Sequence, residues 1–459
     1  MIPQAFLDRM RTYLSEEEYA RFCLALDRPA VRALRLNPIK TDAARALPLL
    51  PFASDPVPFA EHAYYATSDK VGAHPAHHAG MIYMQDPSAI SAVAAASPQK
   101  GLRVLDLCAA PGGKSTQLAA AIGDGGVLVA NEYVPARCRI LQGNIERMGV
   151  GNAVITNLST KALADFYGSY FDLVVADAPC SGEGMLRKYE VAGEEWSAEN
   201  VALCAERQRE ILDNAALCVA PGGRLLYSTC TFSIEENEQN VAHFLDTHPD
   251  FSLIPVSPEV VAVTADGMVP PSHPHRTELT LTRRFYPHLA KGEGQFVALL
   301  QRRPGCPVSS PKKDAAISLS RGETDTVTAF FADTVNKTPR GRLCLLRDTV
   351  CLAPDIPLPP SGVFVAGVAL GTVSKGRLEP HHHFYSALGK DFIRRLDLSA
   401  DDPRVRAYLF GEEIDAPELA PFKNGYAVLL FEGAPLGGGK AVSGRLKNHY
   451  PKGLRNKVR

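Results

Sequence analysis

Between residue 84 and about residue 303 the chain alternates short apolar runs with longer amphipathic ones, and few folds accept that pattern. The runs at 103–107, 127–131, 153–156, 172–176, 224–228 and 296–301 have the length and composition of buried strands. Between them, 115–122, 136–148 and 198–219 have helical length and apolar periodicity. The order predicts βαβ units, hence an α/β fold with a parallel sheet covered by helices. Such sheets place their chemistry in loops that leave the C-terminal ends of the strands.

Three loops of that kind stand out. The first is Cys108-Ala-Ala-Pro-Gly-Gly-Lys-Ser115, the second Asp177-Ala-Pro-Cys-Ser-Gly-Glu-Gly184, and the third Tyr227-Ser-Thr-Cys-Thr-Phe232. The first has two glycines that let backbone approach a ligand, followed by a helix start with free N–H groups. A phosphate-binding P-loop needs glycine where Cys108 stands, and no G-x-G-x-x-G dinucleotide fingerprint is present. A different nucleoside cofactor remains, with Glu132 at the end of the next strand placed to accept from ribose hydroxyls.

Cys180 and Cys230 each follow a strand end among turn-forming and polar residues, a setting that suits a reactive thiol. One crossover helix separates them, so they are expected to face each other from adjacent strands. Cys23, Cys138, Cys204, Cys218, Cys306, Cys344 and Cys351 are read as buried apolar residues. Asp177, at the strand end before Cys180, can hydrogen-bond a heteroatom of a flat ring while a thiolate attacks carbon. Ser233-Ile-Glu-Glu236 reads as a capping box that starts a helix ending near Leu245.

A chain of 459 residues is too long for one core, and its 46% hydrophobic and 22% charged content is that of a soluble globular protein. The expected division is 1–85 as an N-terminal RNA-binding-like domain, 86–303 as the catalytic domain, 304–318 as a linker, 319–395 as a first C-terminal module, and 396–459 as a final module with a basic tail. Arg32-Ala-Leu-Arg-Leu-Asn37 reads as a strand with two outward arginines, and 363–370 as one β-like run. After Glu432 no acidic residue occurs, whereas Lys440, Arg445, Lys447, Lys452, Arg455, Lys457 and Arg459 do. That tail is either a solvated face or, with Gly437-Gly-Gly439 and His449-Tyr450, a surface for phosphates and bases. The first ten residues carry acidic and basic side chains where a signal peptide would need an apolar run, so none is expected, and no uninterrupted apolar stretch is long enough to span a bilayer. Ten scattered cysteines without Cys-x-x-Cys spacing suggest a reducing cytoplasm and no metal.

Leu105-Asp-Leu-Cys-Ala-Ala-Pro-Gly-Gly-Lys-Ser115, Asp177-Ala-Pro-Cys-Ser-Gly-Glu-Gly184, Ser228-Thr-Cys-Thr-Phe232, Gln85-Asp-Pro-Ser88 and Arg207-Gln208 together resemble the Sun-family RNA (cytosine-5) methyltransferases. The extended run at 177–188, the segment Tyr286-Pro-His-Leu-Ala-Lys-Gly-Glu-Gly294 and the two C-terminal modules resemble the bacterial 16S ribosomal RNA methyltransferase F branch. The resemblance implies a Rossmann-like methyltransferase core with a small N-terminal α+β domain and two small C-terminal modules, the last PUA-like. It implies S-adenosyl-L-methionine as cofactor, and a cytoplasmic monomer acting on ribosomal RNA or the small subunit. It further implies Cys230 as the nucleophile at carbon 6 of cytosine, Cys180 as the residue that assists release, and Asp177 as a contact to both ring and methyl donor. Cys108, Ala109, Ala110, Pro111, Gly112, Gly113 and Lys114 would wrap the methionine part of the cofactor, and Glu132 its ribose. On the adenine side the family's usual aspartate is replaced by Thr156-Asn157-Leu158-Ser159, which leaves Asn157 or Ser159 for that role. DNA cytosine-5 enzymes use the Pro-Cys cysteine as nucleophile and follow it with Glu-Asn-Val. Here Glu236-Asn237-Glu238 comes only after Cys230, a pattern closer to the RNA enzymes. Two alternatives stay open: a transfer RNA methyltransferase of the same chemistry, and a non-catalytic RNA-binding assembly factor.

Overall fold

The computed structural model describes residues 2–68 and 70–456. Lys457 and Arg459 of the basic tail lie outside the described residues. The centre is a twisted sheet of β1 (Arg103–Asp106), β2 (Val127–Asn131), β3 (Ala153–Thr156), β4 (Phe171–Asp177), β5 (Val219–Thr229), β6 (Gln295–Arg302) and β7 (Val363–Ala366). Their spatial order is β6-β5-β4-β1-β2-β3-β7, with β1 to β5 parallel and both flanking strands antiparallel. Helices α1 (Gly113–Ile122), α2 (Pro135–Arg147), α3 (Thr160–Tyr167), α4 (Ala198–Cys218) and α5 (Glu238–Thr247) complete the crossovers and cover the faces.

The strands read as unbroken apolar runs because both faces are buried. Leu105, Val129, Val154 and Val174 enter one core, while their neighbours Val104, Leu128, Ile155 and Val175 enter the other. Strand order reverses at β1, since β2 lies on one side of it and β4 on the other. A crevice therefore opens between the C-terminal ends of β1 and β4, where ligands of such sheets bind.

Ahead of the core, Arg32–Leu36 sits between Ala63–Ala66 and Ile82–Gln85 in a four-stranded antiparallel sheet. Its two arginines are not both outward. They are three positions apart, so a period of two puts them on opposite faces. Arg35 is 3% exposed and donates to Gly113 O at 3.0 Å and Thr116 Oγ1 at 2.8 Å, docking this domain on α1. The helices Gln4–Tyr13 and Glu16–Leu26 pack Phe6, Met10 and Phe22 against Phe232 and Tyr286, behind the Cys230 loop.

The expected single run at 363–370 is cut by Gly367, whose φ is +67° and whose added Cβ would lie 2.1 Å from Leu352 O. The chain turns there: β7 joins the catalytic sheet beside β3, whereas Val368–Ser374 joins a separate four-stranded sheet. In the final five-stranded module, Gly437 and Gly438 are core rather than ligand surface. A Cβ on them would meet Tyr408 Oη at 2.5 Å and Tyr385 Cδ1 at 2.2 Å. Tyr450 is likewise buried, with its hydroxyl 2.8 Å from His78 Nδ1, although His449, Lys440 and Lys447 stay exposed. Cys138, Cys204, Cys218, Cys344 and Cys351 are buried as expected, but Cys23 and Cys306 are only half-buried. Among the described residues no helix is long and apolar enough to cross a membrane.

Candidate active site

The loop after β1 is fixed from three sides. Arg137 Nη2 donates to Ala110 O at 2.8 Å, Asn144 Nδ2 to Pro111 O at 2.8 Å, and Arg35 Nη2 to Gly113 O at 3.0 Å. Gly112 takes a φ of +113°, in the region open to glycine, and turns the chain into α1. Cys108 and Gly113 are half-buried, Ala109 and Ala110 are buried, and Pro111 is exposed at the tip. Burial pushes the Cys108 thiol up, so it is no nucleophile. Beneath the loop Asp106 is 1% exposed; Ser115 Oγ donates to its Oδ2 at 2.6 Å, but its Oδ1 has no hydrogen-bond partner among the described residues. Burial first, and then Asp177, push the Asp106 carboxyl up to about 7 against the Ser115 bond and the Lys114 charge.

At the end of β2, Glu132 is 3% exposed and held by Val134 N at 2.9 Å and Arg137 at 3.2 Å. Asn157 braces this turn, donating to Glu132 O at 2.7 Å and Tyr133 O at 2.8 Å. Ser159 is committed elsewhere: its hydroxyl caps α3 by accepting from Ala162 N at 3.2 Å. An unpartnered buried carboxylate oxygen, a glycine-lined backbone cradle and a second carboxylate at the next strand end suit a cofactor with a cationic amino group and a ribose diol. They fit S-adenosyl-L-methionine, which supplies a methyl group when bound.

On the other side of the crevice, Asp177 Oδ2 accepts from Lys114 Nζ at 2.8 Å, and its Oδ1 from Ser228 Oγ at 2.7 Å and Gln295 Nε2 at 3.3 Å. Burial opposes the charge on Lys114, yet Asp177 outweighs it and its pKa is raised. Parallel pairing of Asp177 with Ser228 sets the two cysteine loops side by side. The Cys180 and Cys230 sulfurs lie 3.3 Å apart, both half-buried. A hydrogen bond with Cys230, and then burial, push the Cys180 thiol well up, so it keeps its proton.

The expected capping box is absent. The helix begins only at Glu238, with Asn237 before it and no side-chain cap. Ser233 Oγ instead donates to Glu183 Oε1 at 2.6 Å, and Glu236 accepts from Ser181 N at 3.0 Å and Gln208 Nε2 at 2.7 Å. These long-range partners outcompete a local cap because the whole segment is sealed from water: Thr231, Ser233, Glu236 and Asn237 are each at most 1% exposed.

Family models match three successive parts of the chain. They are the N-terminal domain of 16S rRNA methyltransferase RsmF over 2–87, 16S rRNA methyltransferase RsmB/F over 93–301, and the methyltransferase RsmF PUA domain over 395–456. A relative named ribosomal RNA small subunit methyltransferase F, from Vibrio parahaemolyticus, is 31% identical across 99% of this chain and 97% of its own. The chain belongs to the 16S rRNA methyltransferase RsmB/F family. A relative of the same name from Escherichia coli is 30% identical over 98% of this chain and 96% of its own. Among solved structures, a methyltransferase homolog protein from Pyrococcus horikoshii is similar with a TM-score of 0.55 and 28% identity, over 63% of this chain and 92% of its own. NSun6 from the same organism, solved with SFG, shares the fold at a TM-score of 0.54 and 19% identity, over 66% of this chain and 98% of its own.

As an RsmB/F-family enzyme, the chain is an S-adenosyl-L-methionine-dependent methyltransferase. Three of its site residues were not given roles from sequence, although all lie in or beside motifs. Asp106 falls inside the cofactor motif, Glu183 three residues after Cys180, and Gln208 in the Arg207-Gln208 pair. Gln295, which reaches Asp177 from β6, directly follows the Tyr286–Gly294 segment but was likewise given no role.

Proposed function

We propose that this chain methylates carbon 5 of a cytosine in 16S ribosomal RNA, with Cys230 as the attacking thiolate and Cys180 assisting its release. The observation that carries the reading is the 3.3 Å sulfur pair beside the Lys114–Asp177 ion pair, at the reversal of strand order. Carbon 5 of cytosine is too weak a nucleophile to take a methyl group unaided. Addition of a thiolate at carbon 6 makes it enamine-like, provided ring nitrogen 3 is hydrogen-bonded or protonated.

Asp177 accepts from Lys114, Ser228 and Gln295, so it acts as a carboxylate acceptor. A ring bound there can offer it the exocyclic amino group, while Lys114 is the donor for the adjacent ring nitrogen. After transfer, solvent water takes the carbon 5 proton, the electron pair of that C–H bond re-forms the 5,6 double bond, and the carbon 6–sulfur bond breaks with its pair returning to Cys230. Cys180 keeps its proton and can donate it in a hydrogen bond to the departing Cys230 sulfur. Support for the cofactor roles of residues 108–114 and Glu132 comes from their sequence positions at two neighbouring strand ends, the loop following directly on Asp106 with its unpartnered Oδ1 and Glu132 following Asn131. The names of the full-length relatives, and a matched PUA domain, favour small-subunit RNA as substrate.

A base stacked within a helix is out of reach, so the target cytosine has to be flipped out or presented by open RNA. Incubation with methyl-labelled cofactor and small-subunit RNA or immature subunits tests the reading. Label is expected in 5-methylcytosine of that RNA; label confined to transfer RNA, or to another base, would contradict it.

A further inference from the structure

Two carboxylates that the chemistry above does not use join the cysteine loops reciprocally. Glu183, on the Cys180 loop, accepts from Thr231 Oγ1 at 2.7 Å and Phe232 N at 2.8 Å on the Cys230 loop. Glu236, downstream of Cys230, accepts from Ser181 N at 3.0 Å and from Ser181 Oγ on the Cys180 loop. Ser181 Oγ and Thr231 Oγ1, one residue beyond each cysteine, lie 2.8 Å apart. The result is a chain of four oxygens: Glu236, Ser181, Thr231, Glu183.

Three contacts in that chain need three protons, and the two hydroxyls supply only two. With both carboxylates ionised, one contact has no hydrogen, and two negative charges face each other across buried side chains. One more proton completes it. Glu183 cannot readily hold it, because Oε1 already faces Trp196 Nε1–H at 2.9 Å and Oε2 faces Phe232 N–H, both obligate donors. Glu236 Oε1 faces only a hydroxyl, which can accept. We propose that Glu236 is a positioning residue that acts as a neutral carboxyl donor, closing a Glu236–Ser181–Thr231–Glu183 chain that holds the two cysteine sulfurs together.

The electrostatics point the same way. Burial pushes the Glu236 carboxyl up to about 7, with Glu183 adding to it and the Ser181 and Gln208 bonds opposing it. Around Glu236 the titratable groups are Glu183, Cys180, Cys204 and Tyr227, with Arg9 facing Glu183 from the first helix. No step of the reaction passes through Glu236; it acts by holding Cys180 where it can meet Cys230. Gly184 shows how tight the junction is: its N–H donates to Cys230 O at 2.8 Å, and a Cβ there would lie 2.8 Å from the same oxygen.

The role in turnover rests on the thiolate reading, so two measurements on the full chain separate the ideas. The first needs no RNA: thermal unfolding of wild type, Glu236→Gln and Glu236→Ala between about pH 5.5 and about pH 8.5. A carboxyl raised in the folded state binds more proton there than in the unfolded chain, so its stabilisation is present in acid and lost as pH rises through about 7. Wild type is therefore expected to lose stability relative to Glu236→Gln, which keeps the donor at every pH. A difference flat across the range overturns the proposal.

The second measurement is turnover with small-subunit RNA. Glu236→Ala is expected to lower kcat by about tenfold or more with KM changed little, and to leave a Cys230–RNA adduct unresolved, the outcome also expected of Cys180→Ala. Glu236→Gln is expected to recover most of that loss. A Gln variant no better than Ala means the charge, not the donor, is what counts, and overturns the proposal. If Cys180→Ala leaves no adduct while the pH difference is present, the thiolate reading fails and the Glu236 chain stands.

Discussion

Cys180 Sγ and Cys230 Sγ lie 3.3 Å apart, each just beyond the end of one of two adjacent parallel strands. The approach follows from register. Asp177 pairs with Ser228 as the last residue pair of β4 and β5, so the loops begin level and their cysteines converge. Neither thiol is then an isolated reactive group. Cys180 retains its proton because Cys230 stands beside it, and Cys230 has a hydrogen-bond donor at hand whenever it carries charge.

Asp177→Asn tests the Lys114–Asp177 pair. Both side chains are mostly buried, at 13% and 29% exposure, and the amide would turn an N–H toward Lys114, Ser228 or Gln295. A stability loss of about 1–3 kcal/mol is expected from the mismatched donor. Turnover is expected to fall about a hundredfold or more if the Asp177 charge orients the ring as proposed. Denaturant unfolding alongside single-turnover methylation separates the two effects.

Asp106 is expected to make cofactor affinity depend on pH. Burial pushes its carboxyl up to about 7, and the ionised form attracts a cationic amino group at its unpartnered Oδ1 far more strongly than the neutral one. Binding of S-adenosyl-L-methionine is therefore expected to tighten as pH rises from about 6 to about 8. Because the raised pKa means the proton stabilises the folded chain, the protein without cofactor is expected to lose stability over the same window. Asp106→Asn should flatten the affinity profile in calorimetric titrations; an unchanged profile would remove Asp106 from cofactor binding.

The parts of the molecule that the sequence made legible are those governed by local pattern. β2 and β3 lie where their apolar runs put them, because burial on both faces leaves no other reading. The three motif loops likewise gather at one sheet edge. Local pattern misled where a distant partner decides the outcome. Ser233 looked like a helix cap, but its hydroxyl goes to Glu183, 50 residues away. Arg35 looked exposed, but Thr116, 81 residues away, takes its guanidinium. Gly437 and Gly438 suggested a ligand surface, but the rings of Tyr408 and Tyr385 occupy the space they leave. Nor does any local signal show that β7, from beyond the catalytic segment, closes the catalytic sheet.

That last strand is expected to matter for the cofactor. Asn157 N donates to Gly362 O at 2.7 Å, and Asn157 in turn holds the Glu132 turn. Gly362 has a φ of +75°, and a Cβ on it would meet Leu158 Cδ2 at 2.4 Å. Gly362→Ala is expected to cost about 1–2 kcal/mol from backbone strain alone. It should also weaken cofactor binding several-fold while leaving the reactivity of Cys180 and Cys230 toward thiol reagents unchanged. Equilibrium binding and thiol labelling of the same preparation check both halves.

The most direct test of the central claim is the fate of the Cys180→Ala enzyme mixed with S-adenosyl-L-methionine and small-subunit RNA, then run on a denaturing gel. Cys230 is still able to add to cytosine, but it lacks the partner that assists release. A protein–RNA band stable to denaturant is expected, and it should vanish when Cys230→Ala is added. Absence of the band, or its persistence without Cys230, would contradict the division of labour between the two cysteines.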